Sequence, residues 1–324
     1  MDAGDAGSDA GAPPPDAPRL YDAHLPDAPP PDNVCAGVHV DTRRTTPNVI
    51  VVLDRSGSMT TDFDPGVSRW NAVEAALIGM PDGLVTSLAP AVRFGIVMYS
   101  EDVEVLGCPD LATVPAALDN YAAISIEYGW NSPGGNTPTG ETLQAVVARL
   151  AELAPSRTDP TFILLATDGE PATCADGTDV TTGRSLVVDT VGTAFGMGVR
   201  TYVISVGTEI GMSHLQDVAN AGMGVAPGAP DAPFWVATDT SGLHDALAAV
   251  VTGVVSCTVE LVGRIDPAGA CRGSVALGAD TLMCGTDWRA VDATHIELLG
   301  AACSRFQHST EPLMATFPCD VILI

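Results

Sequence analysis

The chain has 324 residues, 46% of them hydrophobic and 17% charged, which is the balance of a globular protein rather than of a disordered one. Its basic residues are all arginine, and 14 of them stand against 40 acidic residues to give a formal net charge of −26. So negative a surface repels phosphate backbones and anionic lipid headgroups. It therefore disfavours binding to nucleic acids or membrane surfaces and favours cations and basic partners.

Residues 1–33 consist almost entirely of Asp, Ala, Pro and Gly. Such a segment buries too little apolar surface to offset its conformational entropy, so the sequence predicts an extended acidic tether. The segment has neither the positive start nor the apolar core of a secretion signal. Because the sequence holds no run of about 18 apolar residues, we expect no direct membrane insertion.

Short apolar runs alternate with helical patterns across the next region, residues 34–256. The runs predict strands at Val49–Leu53, Arg93–Tyr99, Phe162–Ala166, Thr201–Val206 and Phe234–Ala237. Most of these runs are continuously apolar, as expected where helices cover both faces of a parallel sheet. The alternation therefore predicts an α/β domain built on a doubly wound, mostly parallel sheet.

Apolar residues at helical spacing lie between the predicted strands. One stripe begins at Trp70 and has Ser68 as its predicted N-cap. Another runs from Leu143 to Leu153 and has Thr139 as its predicted N-cap. Further helices are predicted near residues 182–197, 211–220 and 241–253.

The pattern changes at residue 257, where the apolar runs become shorter. Five of the eight cysteines fall in residues 257–324, which predicts a small, mostly β, Cys-rich unit stapled by disulfides. Trp288 and Phe317 are expected in its core, and a short helix is expected around Ala301–Phe306. Strands are predicted at Val259–Val262, Ser274–Leu277, His295–Leu299 and Met314–Ile324.

The cysteines form no C-x-x-C pair, which argues against zinc or thioredoxin-like chemistry. An even, widely spread set fits disulfides in an oxidising compartment. We therefore expect an extracytoplasmic protein, secreted or tethered at the cell surface, whose export signal precedes the given start. Cys108 and Cys174 are expected to form a bridge that rigidifies the carboxyl edge of the sheet. A second bridge is expected between Cys271 and Cys284, and the remaining cysteines are expected to pair among themselves, namely Cys35, Cys257, Cys303 and Cys319.

Polar residues at the ends of two predicted strands form the candidate site. The first strand runs into D-R-S-G-S-M, where Asp54, Ser56 and Ser58 alternate along one loop, a spacing that allows a single turn to direct three oxygens to one point. The strand at 162–166 ends in T-D-G and places Asp168 at the same edge of the sheet. Ligands of open α/β sheets bind in the crevice at these carboxyl ends, where the strand order reverses. We therefore expect both aspartates in one crevice.

Carboxylates and hydroxyls form a hard, all-oxygen donor set. This set favours Mg²⁺, Mn²⁺ or Ca²⁺ over zinc and copper, which prefer nitrogen and sulfur. Mg²⁺ fits best because it typically takes one or two carboxylates and keeps water at its other positions. Two aspartates only balance the charge of such an ion, so an additional carboxylate would still be attracted to it.

Three motifs follow one another along the chain, D-R-S-G-S-M, then G-G-N-T-P-T-G at 134–140, then T-D-G. In this order they resemble the von Willebrand factor type A domain with its metal-ion-dependent adhesion site. The resemblance covers about residues 47–256. It implies the strand order 3-2-1-4-5-6 and a metal position filled by a Glu or Asp of a partner. It also implies the metal residues Asp54, Ser56, Ser58, Thr137 and Asp168, and the choice of Thr137 over Thr139 rests on the family pattern alone.

The sequence thus predicts a metal-dependent, adhesion-type module, not an enzyme, that captures an acidic side chain of a protein ligand. Two alternatives stay open. One is a structural or assembly component that uses the same domain. The other is a metal-dependent hydrolase with the ion as Lewis acid, although no general base is evident beside the site. Of the neighbouring charges, Glu170 is expected at the rim, and Arg55 is expected to face solvent or to pair with a rim acid.

Overall fold

A computed structural model of the protein describes residues 37–102, 107–156 and 159–323, so the tether predicted for residues 1–33 lies outside the described residues. The strands in these ranges are β1 (Val38–Val40), β2 (Thr42–Arg43), β3 (Asn48–Asp54), β4 (Asp62–Asp64), β5 (Val67–Ser68), β6 (Arg93–Asp102), β7 (Gly107–Ala117), β8 (Thr161–Thr167), β9 (Arg200–Val206), β10 (Trp235–Ala237), β11 (Thr258–Leu261), β12 (Ser274–Leu277), β13 (Asp280–Leu282), β14 (Trp288–Ala290), β15 (His295–Leu298) and β16 (Leu313–Phe317). The helices are α1 (Arg69–Ile78), α2 (Leu84–Leu88), α3 (Tyr121–Trp130), α4 (Thr139–Ala148), α5 (Leu150–Leu153), α6 (Val180–Gly196), α7 (Met212–Met223), α8 (Thr240–Val254) and α9 (Gly300–Gln307).

The central sheet has the strand order β10-β9-β8-β3-β6-β7. Its strands are parallel except for β7, which pairs antiparallel with β6. Numbered within the sheet, this is the order 3-2-1-4-5-6, so the predicted doubly wound sheet is confirmed. The order reverses between β3 and β8, whose carboxyl ends therefore meet at the crevice where such folds bind ligands.

Helices cover both faces of this sheet. All seven residues of β3 are buried, and their side chains alternate between two cores. Val49, Val51 and Leu53 pack in the core on the side of α1, α2, α3 and α8. Ile50 and Val52 pack in the other core, beneath α4, α5, α6 and α7. Burial on both faces explains why the strand is a continuous apolar run in the sequence.

Several elements of the α/β domain were not predicted from the sequence, namely the short elements β4, β5 and α2, the edge strand β7 and the helix α3. The edge strand β7 contains Pro109 and Pro115 and is mostly half-buried, so it lacks the continuous apolar run of the inner strands. Proline is tolerated there because an edge strand has unpaired backbone positions. Helix α3 buries only Ile124 and Tyr128, and so narrow an apolar stripe gives a weak periodic signal.

The N-cap predictions had different outcomes. Ser68 caps α1 as predicted, because its Oγ accepts a hydrogen bond of 3.2 Å from the backbone N–H of Asn71. The prediction for Thr139 is wrong, since the N-cap of α4 is Pro138 and Thr139 is the first helical residue. The predicted helix to Leu153 is interrupted after Ala148 and continues as the short helix α5.

The C-terminal unit contains two antiparallel sheets, with the orders β1-β16-β12-β13 and β14-β15-β11-β2. Its core includes Trp288 and Phe317, both fully buried, whose rings meet edge to face with centroids 6.2 Å apart. Both residues were predicted as core. The last predicted strand is shorter than expected, because β16 ends at Phe317 before Pro318 rather than running to Ile324.

The first two described strands pair with the C-terminal unit. Val38 and Val40 of β1 pair with Phe317 and Ala315 of β16, and Arg43 of β2 lies opposite Glu260 of β11. The sequence assigned residues 34–256 to the α/β domain, whereas β1 and β2 pair with strands of the C-terminal unit. Strands of two and three residues carry almost no periodic signal, and their partners lie more than 200 residues away in the chain.

Disulfides staple the C-terminal unit as predicted. Cys257 is bonded to Cys303 and Cys271 to Cys284. Cys319 is also disulfide-bonded, whereas Cys35 lies outside the described residues. None of the helices in the described ranges is long and apolar enough to cross a membrane.

Candidate functional site

The loop after β3 folds back on the last residue of the strand. The backbone N–H of Ser56 donates a 2.8 Å hydrogen bond to Oδ1 of Asp54. The hydroxyls of Ser56 and Ser58 are 2.9 Å apart, and Gly57–Thr60 form a short 3₁₀ turn. The carboxylate and the two hydroxyls are therefore held on one side of a single loop.

The end of β8 brings the second carboxylate to this loop. The Ser58 hydroxyl donates a 2.7 Å bond to Oδ1 of Asp168, and the Thr167 hydroxyl donates a 2.6 Å bond to Oδ2 of Asp54. Each strand end thus supplies a hydroxyl to the carboxylate of the other. This reciprocal bonding places Asp54 and Asp168 in one polar cluster at the point where the strand order reverses.

Thr137 reaches the same cluster from the loop that precedes α4. The backbone of this loop is joined to the first loop by a 3.1 Å bond from Gly57 N–H to the carbonyl of Gly135. A Cβ atom built on Gly169 would lie 3.7 Å from both the Ser58 and the Thr137 hydroxyl oxygens. The two hydroxyls therefore converge on the same small space beside Asp168, where the lack of a side chain on Gly169 leaves room.

The cluster is buried except at one point. Asp54 and Asp168 are fully buried, Ser56 is 1% exposed and Thr137 is 8% exposed. Ser58 is exposed to solvent. The structure therefore brings all five predicted residues together in one polar cluster, of which Ser58 is exposed to solvent.

Buried hydroxyls lie next to the cluster. The Thr167 hydroxyl donates to Asp54, and the Tyr99 hydroxyl lies 2.8 Å from Oγ1 of Thr139. This contact explains why Thr139 does not cap α4, since its side chain is directed into the sheet rather than back to the helix backbone. Sequence reasoning had assigned Tyr99 only to a strand.

The site also contains Arg69, which sequence reasoning missed. Arg69 is the first residue of α1 and is only 5% exposed. Its Nη1 donates a 2.8 Å bond to Oδ2 of Asp168, and its Nη2 bonds to Glu209 in the loop after β9. A cation in the first turn opposes the helix dipole. The unfavourable position is the sequence signal that could have indicated another role for this arginine.

Burial sets the electrostatics of the two aspartates. It raises the pKa of Asp54 from 3.8 to about 6, and the nearby charge of Asp168 acts in the same direction. Burial also raises the pKa of Asp168, against the lowering effect of its bonds from Ser58 and Arg69. Two buried carboxylates that resist ionisation are stabilised by a cation placed between them.

Charged residues at the rim of the cluster form ion pairs with other residues. Arg55 forms an ion pair with Asp110 on β7, which fits the expectation of a rim partner. Glu170 accepts a 2.7 Å bond from Nε of Arg184 and a 2.8 Å bond from the backbone N–H of Gly211. Glu170 is therefore engaged away from the cluster.

The predicted disulfide between Cys108 and Cys174 is present beside the site, with Cα atoms 5.5 Å apart. It joins the start of β7 to the loop that follows Asp168. The backbone N–H of Cys174 also donates a 2.9 Å bond to Glu141 at the start of α4. The bridge thus connects segments that flank the cluster on two sides.

The donor chemistry fits a hard divalent ion. In the described part of the chain, the two aspartates are not joined by a third His, Cys, Asp or Glu side chain that would complete a cage of strong ligands. The remaining donors are hydroxyl oxygens. A set of two carboxylates with neutral oxygens suits an ion that keeps some of its water, as Mg²⁺ does.

Comparisons with known proteins agree with this fold. Residues 49–170, within the α/β domain, match the von Willebrand factor type A domain family. No curated protein matches the sequence.

Solved structures share the architecture at low identity. The pilus adhesin SpaC of Lactobacillus rhamnosus GG has a TM-score of 0.51 and 13% identity over 86% of this chain and 40% of its own. The manganese-loaded TRAP protein of Plasmodium vivax has a TM-score of 0.49 and 14% identity, covering 81% of this chain and 97% of its own. Proximal thread matrix protein 1 of the mussel byssus has a TM-score of 0.47 and 18% identity over 68% of this chain. The present chain covers only 50% of that mussel protein.

Proposed function

We propose that this protein is an extracytoplasmic binding module that captures an acidic side chain of a protein ligand through a divalent metal ion, with Mg²⁺ as the preferred ion. The observation that carries the proposal is the convergence in one polar cluster of the five residues Asp54, Ser56, Ser58, Thr137 and Asp168, of which only Ser58 is exposed to solvent. In this proposal the aspartates would neutralise the ion, and the hydroxyls would supply neutral oxygens.

A bound ion of this type supplies a Lewis-acidic centre with exchangeable water positions, to which a partner carboxylate can bind directly. The chain's own residues would hold that centre in place. Oδ1 of Asp54 is fixed by the Ser56 backbone and Oδ2 by Thr167, while Asp168 is fixed by Ser58. Such prior fixation lowers the entropic cost of binding an ion and a partner.

Binding is favoured over catalysis by the state of the two carboxylates. Each oxygen of Asp54 and of Asp168 already accepts a hydrogen bond from Ser56, Thr167, Ser58 or Arg69. In the proposal both carboxylates hold the ion, and among the described residues they are not joined by a third His, Cys, Asp or Glu side chain that could serve as the general base of a hydrolase. A metal-dependent hydrolase is accordingly the weaker alternative.

The location outside the cytoplasm is supported by the disulfides. Bridges occur in the α/β domain and in the C-terminal unit, and such bridges persist in oxidising compartments. A pilus adhesin among the proteins of similar fold agrees with a role at a cell surface.

The test is a thermal titration of the full chain followed by partner capture. Saturating Mg²⁺ at about 100 times its dissociation constant should stabilise the protein by about 2.7 kcal/mol and raise the Tm accordingly. Asp54→Ala and Asp168→Ala should lose this response. Asp245→Ala, which removes a solvent-exposed aspartate of α8, should retain it. An unchanged Tm of the wild type with Mg²⁺, Mn²⁺ and Ca²⁺ would refute the metal site.

The second step compares proteins retained from the native cell surface by wild type, by wild type with chelator and by Asp54→Ala. Retention that requires both the ion and Asp54 supports metal-mediated capture. Retention that survives Asp54→Ala would favour the structural or assembly role instead. Hydrolysis of phosphate or ester substrates that depends on Asp54 would favour the enzyme.

A further inference from the structure

Arg69 is a buried cation inside a cluster of acids. Its guanidinium bonds to Asp168, one of the two carboxylates proposed to hold the metal, and to Glu209, whose side chain is 52% exposed. Within the described residues, nothing accepts a hydrogen bond from its Nε. The two carboxylates are therefore its main anchors, and one of them is the group that the metal would use.

The fold is built to place the guanidinium at this point. The backbone N–H of Arg69 donates a 2.9 Å bond to the carbonyl of Thr61, and the Ser68 cap fixes the first turn of α1. Gly207 at the end of β9 has a φ of +118°, and a Cβ atom there would lie 2.8 Å from Nη2 of Arg69 and 2.4 Å from Oε2 of Glu209. Only glycine leaves room for this ion pair while adopting that backbone conformation.

The charges of the cluster show what the arginine changes. Asp54, Asp168 and Glu209 contribute −3, and Arg69 contributes +1, so the group carries −2 in total. Without the arginine, two buried carboxylates would face each other with no internal counter-charge, which is strongly unfavourable. With the arginine in place, an incoming divalent ion approaches a fixed positive charge. That charge is already bonded to Asp168, one of the residues proposed to hold the ion.

We infer that Arg69 is a resident counter-cation that stabilises the metal-free site and lowers its affinity for the divalent ion. This inference rests on the proposed function, because it assigns a positioning residue to the same metal site. The arginine would hold the Asp168 carboxylate in place when the ion is absent. It would also keep ion binding reversible, because Asp168 already forms an ion pair with Arg69 and therefore attracts the ion less strongly.

The hydrogen bonds that remain when Arg69 is replaced predict in which direction the affinity for the divalent ion should change. Ser58 would still hold Oδ1 of Asp168, so the ligand geometry would not depend on the arginine alone. The main change would be the loss of a positive charge beside the ion. The affinity for the ion should therefore rise, whereas a residue that merely supports the ligands would lower the affinity when removed.

The test uses two variants. Arg69→Met keeps a long side chain but removes the positive charge, and Glu209→Gln is the matched variant that removes a negative charge. Mg²⁺ affinity of the full chain is measured by titration at pH 8, with Tm measured in chelator and in saturating Mg²⁺. Arg69→Met should lower the Tm in chelator and bind Mg²⁺ at least tenfold more tightly. Glu209→Gln leaves Arg69 on Asp168 but removes a nearby negative charge, so it should bind Mg²⁺ several-fold more weakly.

The outcomes separate this inference from the proposal on which it rests. A wild type without any response to Mg²⁺ or Mn²⁺ overturns both the metal site and the role of Arg69. A wild type that responds, with unchanged or weaker affinity in Arg69→Met, overturns the counter-cation role alone. If Arg69→Met cannot be recovered folded, the inference is tested by the Mg²⁺ affinity of Glu209→Gln. An affinity equal to that of the wild type overturns the inference.

Discussion

Replacing Asp54 with Asn should stabilise the metal-free protein at neutral pH and abolish its stabilisation by divalent ions. The pKa of Asp54 is raised from 3.8 to about 6 by complete burial and by the charge of Asp168. Keeping this carboxylate ionised at neutral pH therefore costs the folded protein free energy. Since each tenfold change in proton affinity corresponds to about 1.4 kcal/mol, the cost is roughly 3 kcal/mol.

The Asn side chain fits the hydrogen bonds that the carboxylate makes. Its Oδ1 can accept the bond from the Ser56 backbone, and its Nδ2 can donate to the Thr167 hydroxyl. The substitution therefore removes a buried charge without leaving a buried polar atom unpaired. We expect a gain of about 1–3 kcal/mol, which corresponds to a rise of roughly 3–9 °C in Tm.

The raised pKa of Asp54 also predicts how the stability of the metal-free protein should change with pH. A carboxyl group whose pKa is higher in the folded than in the unfolded state favours folding below the unfolded value, and this contribution is lost as the pH rises through the folded value. Relative to Asp54→Asn, the metal-free wild type should therefore lose stability between about pH 4 and pH 6. The difference should be smallest near pH 4 and constant above about pH 7.

The assay is thermal and urea unfolding of the full chain in chelator from pH 4 to pH 8, repeated with saturating Mg²⁺ at pH 7.5. Asp245→Asn, which changes an exposed aspartate of α8, controls for the loss of one negative charge. An Asp54→Asn protein that is no more stable than wild type in chelator at pH 7.5 would refute the reasoning. A stability difference that does not vary between pH 4 and pH 7 would do the same.

Two further variants test the walls of the site. Gly135 has a φ of +75°, and a Cβ atom there would lie 1.8 Å from the backbone oxygen of Glu101. Gly135→Ala should therefore destabilise the protein by about 1–3 kcal/mol and weaken the Mg²⁺ response, whereas Gly134→Ala, with open space at its Cβ, should not weaken that response. Replacing Cys108 and Cys174 together by Ser removes a bridge with a sequence separation of 66. This should cost up to about 4 kcal/mol and lower Mg²⁺ affinity several-fold, and an unchanged affinity would show that the bridge does not rigidify the rim.

The sequence by itself determined the inner strands of the α/β domain and its doubly wound class. Inner strands such as β3 and β8 are buried on both faces, so their composition is dictated locally and appears as continuous apolar runs. The residues after these strands were identified for the same reason, because a strand end and a parallel sheet fix the edge at which Asp54 and Asp168 must lie. The edge strand β7 was missed because one open edge relaxes the demand for apolar residues.

Only the tertiary structure determined which charges and hydroxyls meet around that edge. Arg69 comes from a helix start and Glu209 from the loop after β9, and their meeting with Asp168 depends on how three segments pack. The pairing of β1 with β16 likewise joins the two ends of the described chain. Contacts of this kind leave no periodic trace in the sequence, since hydrophobic pattern reports which face of an element is buried and not which distant group lies against it.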